Sequence, residues 1–149
     1  MKKIFLKDFE KWKNLNKENG FSLFDYVFHL FKSRNVNSDA FFALFELIWP
    51  TYFEHEGYFF LKENFSEIRL KELQLEKHKN VEYWINLLLI DPYFENEENS
   101  NERAASLVGL LAETWGIKLK KDFPDVEFIV EQICDEIDGD YGITFYQVR

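Results

Sequence analysis

Near the end of the chain, Asp135, Glu136, Asp138 and Asp140 fall within six residues, the densest group of side chains able to do chemistry. Clustered carboxylates suit hard cations, which prefer oxygen ligands. The order departs from a calcium loop, because the D-x-[DN]-x-[DN]-G spacing and a closing Glu at the twelfth position are both missing. The run is open to three readings: a cation site, a solvated turn, or an anionic patch that meets a partner. A second run, Glu95, Glu97 and Glu98, divides the same way.

The other reactive residue types suggest less. His29, His55 and His78 lie in separate stretches with no cysteine or carboxylate at metal-ligand spacing, which assigns them structural or surface roles. His55-Glu56 runs into Gly57-Tyr58-Phe59, so no H-E-x-x-H is present. Cys134 is the single cysteine and cannot form an internal disulfide. It has no basic neighbour in sequence and reads as a small buried hydrophobe. No G-x-S-x-G, P-loop or G-x-G-x-x-G occurs. No catalytic residue, metal or cofactor is therefore nominated, although a proton-transfer pair among the many carboxylates stays open.

These residues need a scaffold, and hydrophobic spacing supplies one. A helix is expected near residues 7–16 with Phe9 and Trp12 on one face, ended by Asn19-Gly20. A second, near 22–32, has Ser22 as its cap, Asp25 in its first turn and Phe21 placed to staple onto Tyr26. Its apolar residues cover most of its circumference, which suits an element enclosed by others. A third is capped by Asn37 or Ser38 and stops at Trp49-Pro50.

Thr51 to Leu61 reads as a hairpin turning at Gly57. Ser66 caps the next helical run, which extends to Ile90 with a break expected near residues 78–80. Asp91-Pro92 closes it, and residues 95–99 form an exposed acidic loop. From Ser100, Ala104, Leu107, Val108, Leu111, Trp115 and Leu119 mark one face of a long helix. Residues 126–134 and 143–148 then form a second hairpin around the acidic turn. The expected class is α+β, one domain over residues 1–149: a helical N-terminal half, and two β-hairpins in a small antiparallel sheet packed on helices.

Charge narrows the partner. Asp91 to Arg149 carries 14 Asp and Glu against five Lys and Arg, whereas residues 1–90 carry 13 of each. Such a field repels nucleic-acid phosphates and selects cationic partners. The charged, amphipathic start MKKIFLKDFEKWK and the lack of a long apolar run argue for a cytoplasmic protein with no membrane partner. Tyr141, Tyr146 and Tyr52 flank turns or lie on strands beside acids, a composition seen where rings anchor and charges orient. Tyr141 is the expected anchor.

Certain stretches carry a resemblance. Leu47-Ile48-Trp49-Pro50, Gly57-Tyr58-Phe59-Phe60-Leu61, Glu82-Tyr83-Trp84-Ile85-Asn86, Ala112-Glu113-Thr114-Trp115, Phe123-Pro124-Asp125 and Ile143-Thr144-Phe145-Tyr146-Gln147 follow one another in an order that resembles small bacterial immunity proteins of polymorphic toxin and contact-dependent growth inhibition systems. The resemblance implies a cytoplasmic, non-enzymatic protein that binds and neutralises a cognate toxin domain. The charge makes that toxin basic and assigns the contact to Asp135, Glu136, Asp138, Asp140, Tyr141, Glu95, Glu97 and Glu98. Two alternatives stay open: an acidic regulator of another basic or nucleic-acid-processing partner, and an enzyme with a carboxylate-based site.

Overall fold

The computed structural model describes residues 5–34, 36–135 and 140–149. Among these residues the chain forms six α-helices and five strands, an α+β protein with a helical N-terminal half. The chain, expected as one domain, divides into two compact units, Lys2–Phe45 and Glu46–Arg149, and each is described by itself.

In the first unit, α1 (Lys7–Leu15) gives way to a 3-10 turn that closes at Gly20, whose φ of 64° glycine adopts without a Cβ penalty. Helix α2 (Leu23–Ser33) starts with a full capping box, in which Asp25 N donates to Ser22 Oγ and Ser22 N donates to Asp25 Oδ2 at 2.7 Å. The bond from Ser22 N, and then one that Ser22 Oγ donates to the same Asp25 oxygen, hold the Asp25 carboxyl below its ordinary pKa. Phe21, expected to staple onto Tyr26, stacks on Trp12 of α1, against which Tyr26 also lies. Helix α3 (Ser38–Ile48) is capped by Asn37, whose Oδ1 accepts from Asp39 N, and Phe31 of α2 meets Phe41 edge-on.

The expectation that α2 is enclosed fails. None of its residues is buried, and Phe24 is 83% exposed. A helix that is apolar all round needs neighbours on every side, and within its unit α2 has only α1 and α3.

In the second unit, β1 (Tyr52–His55) and β2 (Tyr58–Leu61) pair antiparallel across Glu56 and Gly57, both at positive φ as a two-residue primed turn requires. Ser66 caps α4 (Glu67–Leu75), and after the expected break Asn80 caps α5 (Val81–Asn86). That helix does not reach Ile90. Leu88–Leu89 instead forms a short strand, β3, because pairing with a neighbouring strand satisfies its backbone where the apolar run has no helical period. Helix α6 (Ser100–Asp122) precedes β4 (Phe128–Cys134) and β5 (Tyr141–Gln147), and the sheet order is β3-β5-β4. The two hairpins thus lie in separate sheets rather than one, since β3 joins the second hairpin and β1-β2 stays two-stranded. Gly142 permits the close pairing of β3: a Cβ there would meet the Leu88 carbonyl oxygen at 3.0 Å.

The stripe read from sequence on α6 is the core, with Ala104, Val108, Leu111, Trp115 and Leu119 buried. The β1-β2 hairpin contributes to two clusters by strand alternation, Phe59 and Leu61 to that core and Phe60 to a second one with Leu70, Leu73, Val81 and Ile85.

Helix α5 closes the gap between the two sheets with polar atoms. Phe53 and Phe60 form a hydrogen-bonded pair in the register set by Lys62 N and Thr51 O, so Phe59 and Leu61 turn their backbone groups away from β1. Those groups find Glu82 and Asn86, one turn apart on α5. The Glu82 carboxylate accepts from Phe59 N (2.7 Å) and Gln147 N (3.1 Å). Asn86 accepts from Leu61 N and donates to the carbonyls of Phe59 and Phe145. Two buried side chains therefore do for β2 and β5 what a shared ladder would do.

Tyr52 is buried in the same core, and no group among the described residues hydrogen-bonds its hydroxyl. Burial first, and then the charge of Asp122, push its phenol above the ordinary value. Such a phenol keeps its proton where the unfolded chain has lost it. Its effect on stability is level below about pH 10, and stability falls as pH rises beyond that. Tyr52→Phe is expected to remove this alkaline loss and to add about 1 kcal/mol at neutral pH, because an unpaired buried hydroxyl is removed. Thermal unfolding of both proteins at roughly pH 7 and pH 11 measures the two effects.

Candidate functional site

Strand pairing brings Asp91, which leads toward the first acidic run, beside Asp140 at the end of the second. Ile90 N donates to Tyr141 O (2.7 Å) just beyond β3, and Tyr141 N donates back to Asp91 Oδ1 (3.2 Å). Asp135 N donates to Asp140 O (2.9 Å), closing the β4-β5 end beside it. One end of the three-stranded sheet thus carries Asp91, Asp135 and Asp140. The loop from Glu95 to Asn99 continues from that end into α6, after a 3-10 turn at Asp91–Phe94.

Asp135, Asp140, Glu95, Glu97 and Glu98 are all exposed. Asn96 and Asn99, at φ 72° and 60°, bend the loop in left-handed conformations that asparagine tolerates well. Arg103 Nε reaches Glu97 Oε2 at 3.4 Å, which orients that carboxylate at the loop's base. A shallow cleft of about 330 Å³ runs between Asp91, Pro92, Glu95, Asn96, Ser100 and Asn101. Glu136 and Asp138, also expected to make the contact, lie outside the described residues.

Tyr141 does not take the role expected of it. It is 3% exposed and belongs to the main core, so its ring packs inward. The first residue of β5 faces the core by alternation, which proximity to the acidic turn in sequence conceals. Tyr52 is buried as well, while Tyr146 is partly buried and donates its hydroxyl to Glu131 Oε2 at 2.8 Å. That bond is the main reason its phenol titrates above the ordinary value.

Cys134 is exposed rather than buried, as the last residue of an outer strand. The histidines are engaged locally: His29 lies against Trp12, His55 Nε2 faces Glu67 at 3.3 Å, and His78 Nε2 faces Glu76 at 3.0 Å. Among the described residues no three His, Cys, Asp or Glu side chains gather where a metal ion could be held. Among them, too, no helix is long and apolar enough to cross a membrane.

The charge division becomes sharper when counted by unit. Lys2–Phe45 holds eight Lys and Arg against five Asp and Glu, whereas Glu46–Arg149 holds ten against 22, a net of −12. The field at the sheet end therefore belongs to a strongly anionic folded unit. The sequence marks Asp91 only as a helix terminator, yet its carboxylate accepts from Tyr141 N, next to Asp140. No local signal marks this role, because the bond runs to backbone 50 residues away.

Comparison of the chain with protein-family models, with curated proteins and with solved structures found no match in any of the three.

Proposed function

We propose that this chain is a cytoplasmic immunity protein that binds a cognate, basic toxin domain and blocks it, without catalysis of its own. The observation that carries the reading is the meeting of Asp91 with Asp135 and Asp140, more than 40 residues away in the chain, at one end of the β3-β5-β4 sheet. A toxin that cuts nucleic acid presents cationic side chains to phosphates, and an anionic surface at the end of a sheet offers it a competing set of negative charges. Long-range attraction also speeds encounter, while like charge rejects acidic bystanders.

The direct test co-expresses the chain with toxin domains encoded adjacent to its gene. Growth should recover, and the purified pair should form a complex. Growth arrest that persists with every such domain would remove the reading. For the contact itself, converting Asp135, Asp140, Glu95, Glu97 and Glu98 to lysine is expected to slow association about tenfold or more and to flatten its dependence on salt. Stopped-flow mixing at low and high salt reads both quantities. Unchanged rates would place the interface elsewhere.

A further inference from the structure

Strand β4 is an outer strand of its sheet, seven residues long, and among the described residues it pairs with β5 alone. Register shows where its backbone groups point. Val148 N donates to Glu127 O and Asp135 N donates to Asp140 O, which makes Ile129–Tyr146, Glu131–Thr144 and Ile133–Gly142 the hydrogen-bonded pairs of the ladder. Phe128, Val130 and Gln132, the alternate residues, turn N–H and C=O toward the open edge. The sequence there, Phe-Ile-Val-Glu-Gln-Ile, is rich in residues that favour extended structure. The corresponding groups of β2 and β5 are instead occupied by Glu82 and Asn86.

Beside this edge lies a groove of about 470 Å³, lined by Gly116, Leu119 and Lys120 of α6 and by Val126, Phe128 and Val130. Phe128 and Val130 pack toward the α6 core, so the groove opens on the face of the sheet that α6 covers. A strand added about 4.8 Å outside β4 would point every second side chain into it. Gly116 leaves room there, with nothing within 4 Å of where a Cβ would stand. Lys120 is already committed, donating Nζ to the Pro124 carbonyl at 2.7 Å.

Charge selects the occupant. From Asp122 to Val148 there are eight Asp and Glu and no Lys or Arg, with Asp125 and Glu127 exposed where β4 begins. A second copy of this chain would set those acids against acids, which opposes self-pairing. A lysine- or arginine-bearing strand meets opposite charge along the same line.

We propose that β4 is a docking edge: an extended basic segment of the partner adds to it as a further strand, pairing with Phe128, Val130 and Gln132 and filling the groove against α6. This rests on the partner-binding reading above and supplies its geometry.

The test uses a synthetic peptide of alternating lysine and valine, a glutamate-valine counterpart, and hydrogen exchange resolved by residue. The lysine peptide should bind saturably and slow exchange at the amides of Phe128, Val130 and Gln132; the glutamate peptide should not. Val130→Pro removes an outward N–H while leaving the ladder to β5 intact, and is expected to weaken binding about tenfold or more. Circular dichroism checks that this variant folds, and if it does not, exchange in the unaltered protein decides alone. Unchanged exchange at the three amides overturns the proposal. So does a dimer in light scattering that protects them without peptide. A toxin domain that binds and is neutralised with these amides unprotected also overturns the edge but keeps the immunity reading. Protection by the lysine peptide, with no toxin neutralised, keeps the edge and removes that reading.

Discussion

Asn86→Asp exchanges one amide group for a hydroxyl or a negative oxygen and should cost the unit Glu46–Arg149 about 3–5 kcal/mol at neutral pH. Asn86 is fully buried, and its two donated bonds, to Phe59 O (2.9 Å) and Phe145 O (3.1 Å), join separate sheets. A carboxylate keeps the bond from Leu61 N but aims negative oxygen at two carbonyls, with the Glu82 carboxyl one helical turn away. Burial and these neighbours would raise the pKa of the new carboxyl. A raised folded pKa means that stability is retained at low pH, where both states are protonated, and falls as pH rises from about 4 through the folded value. The deficit relative to the unaltered protein should therefore shrink on acidification. Urea unfolding of both proteins at roughly pH 5 and pH 7 tests this. Equal stability at the higher pH would show that the two donated bonds hold nothing together.

Trp115→Ala should cost a similar amount, about 3–5 kcal/mol, by a different route. The indole is fully buried and stands edge-on to Tyr52 and Phe145 at centroid distances of 6.3 and 6.2 Å. It also donates Nε1–H to the Leu47 carbonyl at 2.9 Å, tying the end of α3 to α6. Truncation removes large-area burial, opens a cavity between rings and leaves that carbonyl without its partner. Trp115→Phe should recover most of the packing but not the bond. Denaturant midpoints should rank the unaltered protein above Trp115→Phe and Trp115→Ala last. A phenylalanine variant as unstable as the alanine one would shift the weight from packing to the single hydrogen bond.

Local signals in this chain were legible where one residue's chemistry decides the outcome. Ser22 with Asp25, Ser66, and Glu56-Gly57 each fix a boundary through a side-chain bond or a backbone conformation that neighbours cannot overrule. The α6 stripe was legible because a face that recurs over 23 residues leaves little ambiguity. Leu87 to Ile90 was not, since four apolar residues suit a helix or a strand equally, and the decision lay with Gly142, more than 50 residues away. The enclosed position expected for α2 failed for a related reason. An apolar circumference states what a helix would bury, not how many neighbours its unit provides.

Of the candidate site, residue types and their spacing are enough for the sign of the charge, the two runs that carry it, and the α+β scaffold on which they ride. Composition and short-range periodicity suffice for those. It takes long-range pairing to set Asp91 and Asp140 at one end of a sheet, to turn Tyr141 inward, and to leave the backbone groups of Phe128, Val130 and Gln132 on the open edge of β4. Strand order and register depend on contacts between residues far apart in the chain, and a shift of one residue would reverse every side chain's face. A single sequence does not encode that parity locally, so the acids could be counted from it but not placed.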